Sequence, residues 1–130
     1  MKHPPPSDTT WLLLIRHGAT PANERQPPIL QGCGIDLPLS ATGERQAAAL
    51  ARFLSDFPIR HVYSSPLLRA RMTAQAIAGP HGLDAAVVEG VGECNVGQWE
   101  GLDWGTIRER FPNEAGLFHD NPFENPYLGG

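Results

Sequence analysis

Trp11-Leu12-Leu13-Leu14-Ile15-Arg16-His17-Gly18-Ala19-Thr20 is the stretch that decides how this chain reads. Five apolar residues without polar alternation predict a strand, Trp11 to Ile15, covered on both faces, as in a parallel sheet beneath helices. Such a strand delivers the residues after it to the carboxyl edge of the sheet, where open α/β folds bind ligands. Here it delivers Arg16, His17 and Gly18. Neutral imidazole is a good nucleophile toward phosphorus, a guanidinium offers forked donors to phosphate oxygens, and glycine lets the backbone come close. On these residues alone, an ordinary turn after a strand is an equal alternative.

The chain from Thr20 to Leu39 is rich in Pro, Gly and Asn, which predicts a long loop at the same edge. Ser40 is the expected N-cap of a helix over Ala41 to Asp56, with Ala47, Leu50, Ala51 and Leu54 on one face and Pro58 beyond its end. Ile59 to Tyr63 is the second expected strand. Ser64-Ser65-Pro66 reads as an N-cap before a helix running from about Pro66 to Ala78, closed by Gly79-Pro80. Ala85 to Glu89 is a third expected strand. This alternation predicts right-handed parallel βαβ units, with the strand carboxyl ends on one edge. Arg69, near its helix start, then shares a rim with His17, where the helix N-terminus already favours an anion. A solvated helix face is the alternative for Arg69 and Arg71.

The glycine-punctuated loop Gly92 to Gly101 carries Glu93 and Glu100. Cleaving a phosphate ester needs an acid for the leaving alkoxide and a base for water, and either carboxylate could serve. For each taken singly, a solvated loop charge is the alternative. Asp103 to Phe111 predicts a short helix ended by Pro112, with Trp104, Ile107 and Phe111 turned to the core. Gly116 to Gly130 reads as loop or frayed terminus.

A length of 130 residues, 41% of them hydrophobic, is enough for one globular domain, expected over residues 11–130 after a disordered tail at 1–10. The formal net charge of -4 gives no general attraction to nucleic acid or an anionic membrane, so a small anionic substrate fits better. Cys33 and Cys94 lack metal-ligand spacing and form no disulfide framework, which predicts free thiols, no metal site and a cytoplasmic setting. No apolar run is long enough for a signal peptide or a membrane span. No glycine loop of nucleotide-binding type follows a strand, so no cofactor is expected.

Four blocks carry a family likeness. Leu13 to Thr20 with Asn23 and Gln31-Gly32, Asp36 to Ser40 with Gly43 and Gln46-Ala47, Ser64 to Ala70 with Thr73-Ala74, and Glu93 with Gly97 and Trp99-Glu100-Gly101 together resemble the histidine phosphatase superfamily, also called phosphoglycerate mutase-like. The resemblance implies a three-layer α/β/α fold with a mostly parallel central sheet. It implies His17 as the nucleophile that becomes phosphohistidine, Arg16 and Arg69 as a phosphate clamp, and Glu93 as proton donor. Asn23 would line the phosphate pocket, with Thr20, Gln31 and Gly32 as weaker contributors. No metal is needed, because the guanidiniums and a helix end supply the positive field.

Mutases of that family usually carry Arg and His just after the catalytic Glu, whereas Cys94-Asn95-Val96 stands here. The resemblance therefore points to the phosphatase branch, a phosphomonoester hydrolase acting on a small phosphorylated metabolite. The family's second histidine, on a later strand that pairs beside the first, has no match, and His61, His81 and His119 are poor substitutes. The chain thus reads as truncated before that strand. A mutase-type phosphotransferase and a non-catalytic phospho-ligand-binding remnant stay open as alternatives, and an unpaired first strand makes a homo-oligomer possible.

Overall fold

The computed structural model of the chain describes residues 8–130. The expected tail at 1–10 therefore lies mostly outside the described residues. Helix α1 spans Pro21–Glu24 and α2 Ala41–Leu54, followed by strand β1 at Val62–Ser64, α3 at Leu68–Ala78, β2 at Ala85–Val87, α4 at Trp104–Arg110 and α5 at Pro112–Asp120.

β1, α3 and β2 form the expected parallel βαβ unit, in the register Val62 to Ala85, Tyr63 to Ala86 and Ser64 to Val87. α2 packs on α3 through small residues. It buries Gly43, Ala47, Ala51 and Leu54, while α3 buries Thr73, Ala74, Ile77 and Ala78, a pattern that lets two helices approach closely. Ser40 caps α2 as expected, its Oγ accepting the Gly43 N–H at 3.1 Å.

α3 begins at Leu68, two residues after the expected Pro66, and neither Ser64 nor Ser65 caps it. Ser64 is the last residue of β1, so its backbone is committed to the strand pair. Asp36, from the preceding loop, takes the capping role, its Oδ1 accepting the Leu68 N–H at 2.6 Å.

Two expectations are overturned. Trp11 to Ile15 is not a strand: among the described residues none of its backbone groups is paired, and Leu12 and Leu14 are 78% and 87% exposed. Composition favours a strand there, but a strand exists only with a partner, and β1 and β2 pair only with each other. Conversely, Gly116 to Gly130 is not frayed. Pro112 ends α4 as expected but also opens α5, since a first-turn position needs no N–H. Beyond α5, Tyr127 and Leu128 fold back onto a core of Trp99, Ile107 and Ala115. The fully buried Trp99 ring meets Phe118 and Tyr127 edge-on at 5.3 and 5.7 Å, and this aromatic burial orders a segment with no helical or strand period.

The segment after Ile15 is held despite lacking a strand. The Gly18 N–H donates to Thr73 Oγ1 on α3 at 3.1 Å, the Ala19 N–H donates to Gln46 Oε1 on α2 at 2.8 Å, and the Ser40 N–H donates to Ala19 O at 2.9 Å. The two backbones come so close that a Cβ on Gly18 would sit 2.5 Å from Gly43 O, and one on Gly43 would overlap Ala19 O. Gly43→Ala should therefore destabilise the protein by roughly 1–3 kcal/mol, as overpacking does. Chemical denaturation measures this, and an unchanged midpoint would contradict the close approach.

Asp103 caps α4, its carboxylate accepting from Gly105 N, Thr106 N and Thr106 Oγ1 at 2.7–3.0 Å. These bonds, the Thr106 hydroxyl first, hold its carboxyl below the ordinary 3.8. A depressed folded-state value stabilises above the unfolded one and is lost as pH falls through the folded one. Asp103→Ala should thus lower the melting temperature at neutral pH, with the gap to the parent closing as pH falls through the depressed Asp103 value.

Candidate active site

His17, half-buried, places its Nδ1 2.6 Å from Gly18 O. A carbonyl only accepts, so Nδ1 carries a proton, and in the neutral ring the lone pair that a nucleophile requires is on Nε2. Arg16, His17, Asn23, Gln31 and Glu93 line one cleft of about 340 Å³. Residues separated by up to 77 positions in sequence are thus brought to one space, as the four-block reading expects.

Thr20 and Asn23 form a reciprocal cap at the start of α1. Thr20 donates to Asn23 Oδ1 through its N–H at 3.0 Å and its hydroxyl at 2.9 Å. With Oδ1 spent, the Nδ2 amide is the donor that Asn23 has left, the sign that suits an anion. Thr20 itself is fully buried and does not line the cleft, so it acts through Asn23. Gln31 holds a buried Oε1 without a partner, an open acceptor at the cleft wall.

Arg69, the second residue of α3, is 1% exposed. Its Nη1 donates to Ile35 O at 2.9 Å and its Nη2 to Gly32 O at 3.3 Å, with Nη2 also 4.0 Å from Glu93 Oε2. It is joined to the site through Glu93 and does not itself line the cleft. Glu93 in turn receives the Cys94 N–H at 3.0 Å and the Cys94 thiol at 3.2 Å on Oε1. Desolvation, reinforced by the Glu93 charge, pushes the Cys94 thiol up, so Cys94 stays protonated and serves as a donor that orients Glu93.

Three contributors escaped the sequence reading. Gln46 and Thr73 fix the Gly18-Ala19 backbone, and only their places inside the recurring blocks marked them. Glu100 is no solvated loop charge: one oxygen, Oε1, accepts the N–H groups of Gly32, Gly34 and Ile35 at 2.8–3.0 Å. Glycine is needed at 34, where a Cβ would lie 2.5 Å from Glu100 Oε2. Trp104, expected in the core, is 39% exposed and lines the cleft. The three other described histidines, His61, His81 and His119, stand away from the cleft, with His119 in the last turn of α5, not the loop expected there.

Removing the Glu100 carboxylate leaves three backbone donors without their acceptor. Glu100→Ala should cost about 1–3 kcal/mol and speed amide exchange at Gly32, Gly34 and Ile35 more than elsewhere. Glu100→Gln, which keeps an oxygen but not the charge, should fall between the two in hydrogen-exchange mass spectrometry.

Residues 12–130 match the family model described as histidine phosphatase superfamily (branch 1). The chain is 52% identical over 66 residues to fructose-2,6-bisphosphatase TIGAR of Xenopus tropicalis, covering 51% of this chain and 23% of that protein. It is 31% identical over 120 residues to phosphoserine phosphatase 1 of Hydrogenobacter thermophilus, covering 92% of this chain and 55% of that protein. Its structure aligns with a TM-score of 0.73 to phosphoserine phosphatase of Entamoeba histolytica in complex with 3-phosphoglyceric acid, at 32% identity, over 85% of this chain and 52% of that one. The chain thus spans between about a quarter and about half the length of these relatives, and its α/β fold is of the phosphoglycerate mutase-like kind. With His17, Arg16 and Glu93 in one cleft and that pattern matched from residue 12 onward, the chain belongs to the histidine phosphatase superfamily, branch 1.

Proposed function

We propose that the cleft hydrolyses a small phosphomonoester through a phosphohistidine on His17. The observation that carries this reading is the His17 ring, its Nδ1 proton given to Gly18 O and its Nε2 free, in a cleft shared with Arg16 and Glu93. The Nε2 lone pair attacks phosphorus, forming the P–N bond as the P–O ester bond breaks. The leaving oxygen takes a proton from the protonated Glu93 carboxyl. A water molecule then gives its proton to the Glu93 carboxylate and attacks phosphorus, and the P–N electrons return to the imidazole.

Arg16 offers paired donors to the phosphoryl oxygens and Asn23 adds its Nδ2 amide. Arg69 reinforces the positive field from behind Glu93 and holds that carboxylate in place. This chemistry draws on protein groups alone, so the reaction proposed is metal-independent. Cys94-Asn95-Val96 after Glu93 favours hydrolysis over transfer to a second acceptor, since no cation follows the catalytic acid to hold another phosphate. Two free thiols, Cys33 and Cys94, support a cytoplasmic setting, and no helix among the described residues is long and apolar enough to cross a membrane. The unpaired, exposed Trp11 to Ile15 run supports self-association as part of the same reading.

The test is hydrolysis of p-nitrophenyl phosphate in the presence of a chelator, beside His17→Ala. Turnover that vanishes in the variant is expected; turnover that survives it overturns the assignment. Glu93→Gln should slow an alkyl phosphate by about 10²- to 10⁴-fold and an activated aryl phosphate much less, because only the alkoxide needs the proton. Equal slowing of both esters would remove Glu93 from the acid's role.

A further inference from the structure

Beyond Arg16, His17 and Glu93, the cleft is walled by Pro28, Ile29, Leu30 and the ring of Trp104. These surfaces are fixed before any ligand arrives. Leu30 donates its N–H to Leu102 O at 2.9 Å and accepts from Gly101 N at 3.0 Å, and Ile29 donates to Ala22 O at 3.3 Å. The Trp104 ring lies edge-on to Trp99 at 5.8 Å and 6.0 Å from Phe118. Trp104 is nevertheless more than a third exposed, on the side where a ligand would lie.

The charges around this wall are equally one-sided. Among the described residues Arg16 is the permanent cation lining the cleft, and a bound phosphoryl group claims it. A second phosphate or a carboxylate on the leaving group would meet the Glu93 carboxylate first, with Arg69 behind it already engaged by Ile35 O and Gly32 O. An anion desolvated without a partner is strongly disfavoured, whereas carbon surface gains by leaving water.

We propose that Pro28, Ile29, Leu30 and Trp104 form a leaving-group subsite for the uncharged, apolar or aromatic part of a phosphomonoester, with Ile29 and Trp104 as its specificity-determining residues. The proposal rests on the hydrolase reading above and names its substrate class. The phosphoryl group is held at Arg16 and His17, and the organic part lies on the apolar wall while Glu93 protonates the oxygen between them.

Isothermal calorimetry of the full chain with benzyl phosphate, 3-phosphoglycerate and inorganic phosphate tests it. Benzyl phosphate should bind at least about tenfold more tightly than 3-phosphoglycerate, the discrimination expected of an apolar pocket. Trp104→Ala should erase most of that advantage and leave inorganic phosphate binding unchanged. Ile29→Lys, at a half-buried position, should reverse the preference by adding a cation, and it tests the same wall should Trp104→Ala fail to fold. Equal binding of the two esters, or tighter binding of 3-phosphoglycerate by the parent chain, overturns the subsite and leaves the hydrolase reading standing. No binding of inorganic phosphate or of either ester overturns both.

Discussion

One four-residue turn, Gly32 to Ile35, is gripped from both sides of its backbone. Glu100 accepts its N–H groups, and the buried Arg69 guanidinium donates to its carbonyls. Opposite charges thus read the two polarities of the same turn's backbone, and neither is buried without partners, which is the condition for tolerating a guanidinium at 1% exposure. The consequences spread outward. Arg69 fixed in this way stands 4.0 Å from Glu93, so that carboxylate is tied to a turn remote from it in sequence. Asp36, just past the turn, caps α3, the helix that carries Arg69 and Thr73. Thr73 then anchors the Gly18 N–H, next to His17.

This coupling explains why the long loop of residues 20–39 can be ordered with only one short helix of its own. Much of its backbone is hydrogen-bonded through α1's cap, Glu100, Arg69 and the bonds of Leu30 to residues 101 and 102. A loop of that length inside a compact domain is usually functional, and here it supplies Asn23, Gln31 and part of the apolar wall.

How much was legible in the sequence depended on the kind of signal. The α2 cap and its buried face followed from Ser40 and the spacing of Ala47, Ala51 and Leu54, because those are local rules. The βαβ unit followed from alternating periods. That His17, Arg16 and Glu93 share one cleft followed from their chemistry and block order. The roles of Glu100 and Arg69 in the turn were hidden, because a carboxylate reading three distant N–H groups has no sequence period. Trp11 to Ile15 was misread for the opposite reason: its composition is that of a strand, but pairing is a property of two segments. The C-terminal segment was missed because the contacts of Tyr127 and Phe118 with Trp99 are long-range and follow neither helical nor strand spacing.

The bond between His17 Nδ1 and Gly18 O has a reach that its size conceals. The acceptor belongs to the very next residue, so the tautomer that arms the ring is written into a single dipeptide. In a Ser-His-Asp triad the same task falls to a carboxylate brought from elsewhere in the fold. A ring whose tautomer is set by its own neighbour needs only that neighbour's carbonyl held still, which the Gly18 N–H bond to Thr73 and the close approach of Gly43 accomplish. The proton on the ring and the walls of the cleft are thereby governed by different contacts, the first by two adjacent residues and the second by the loop of residues 20–39.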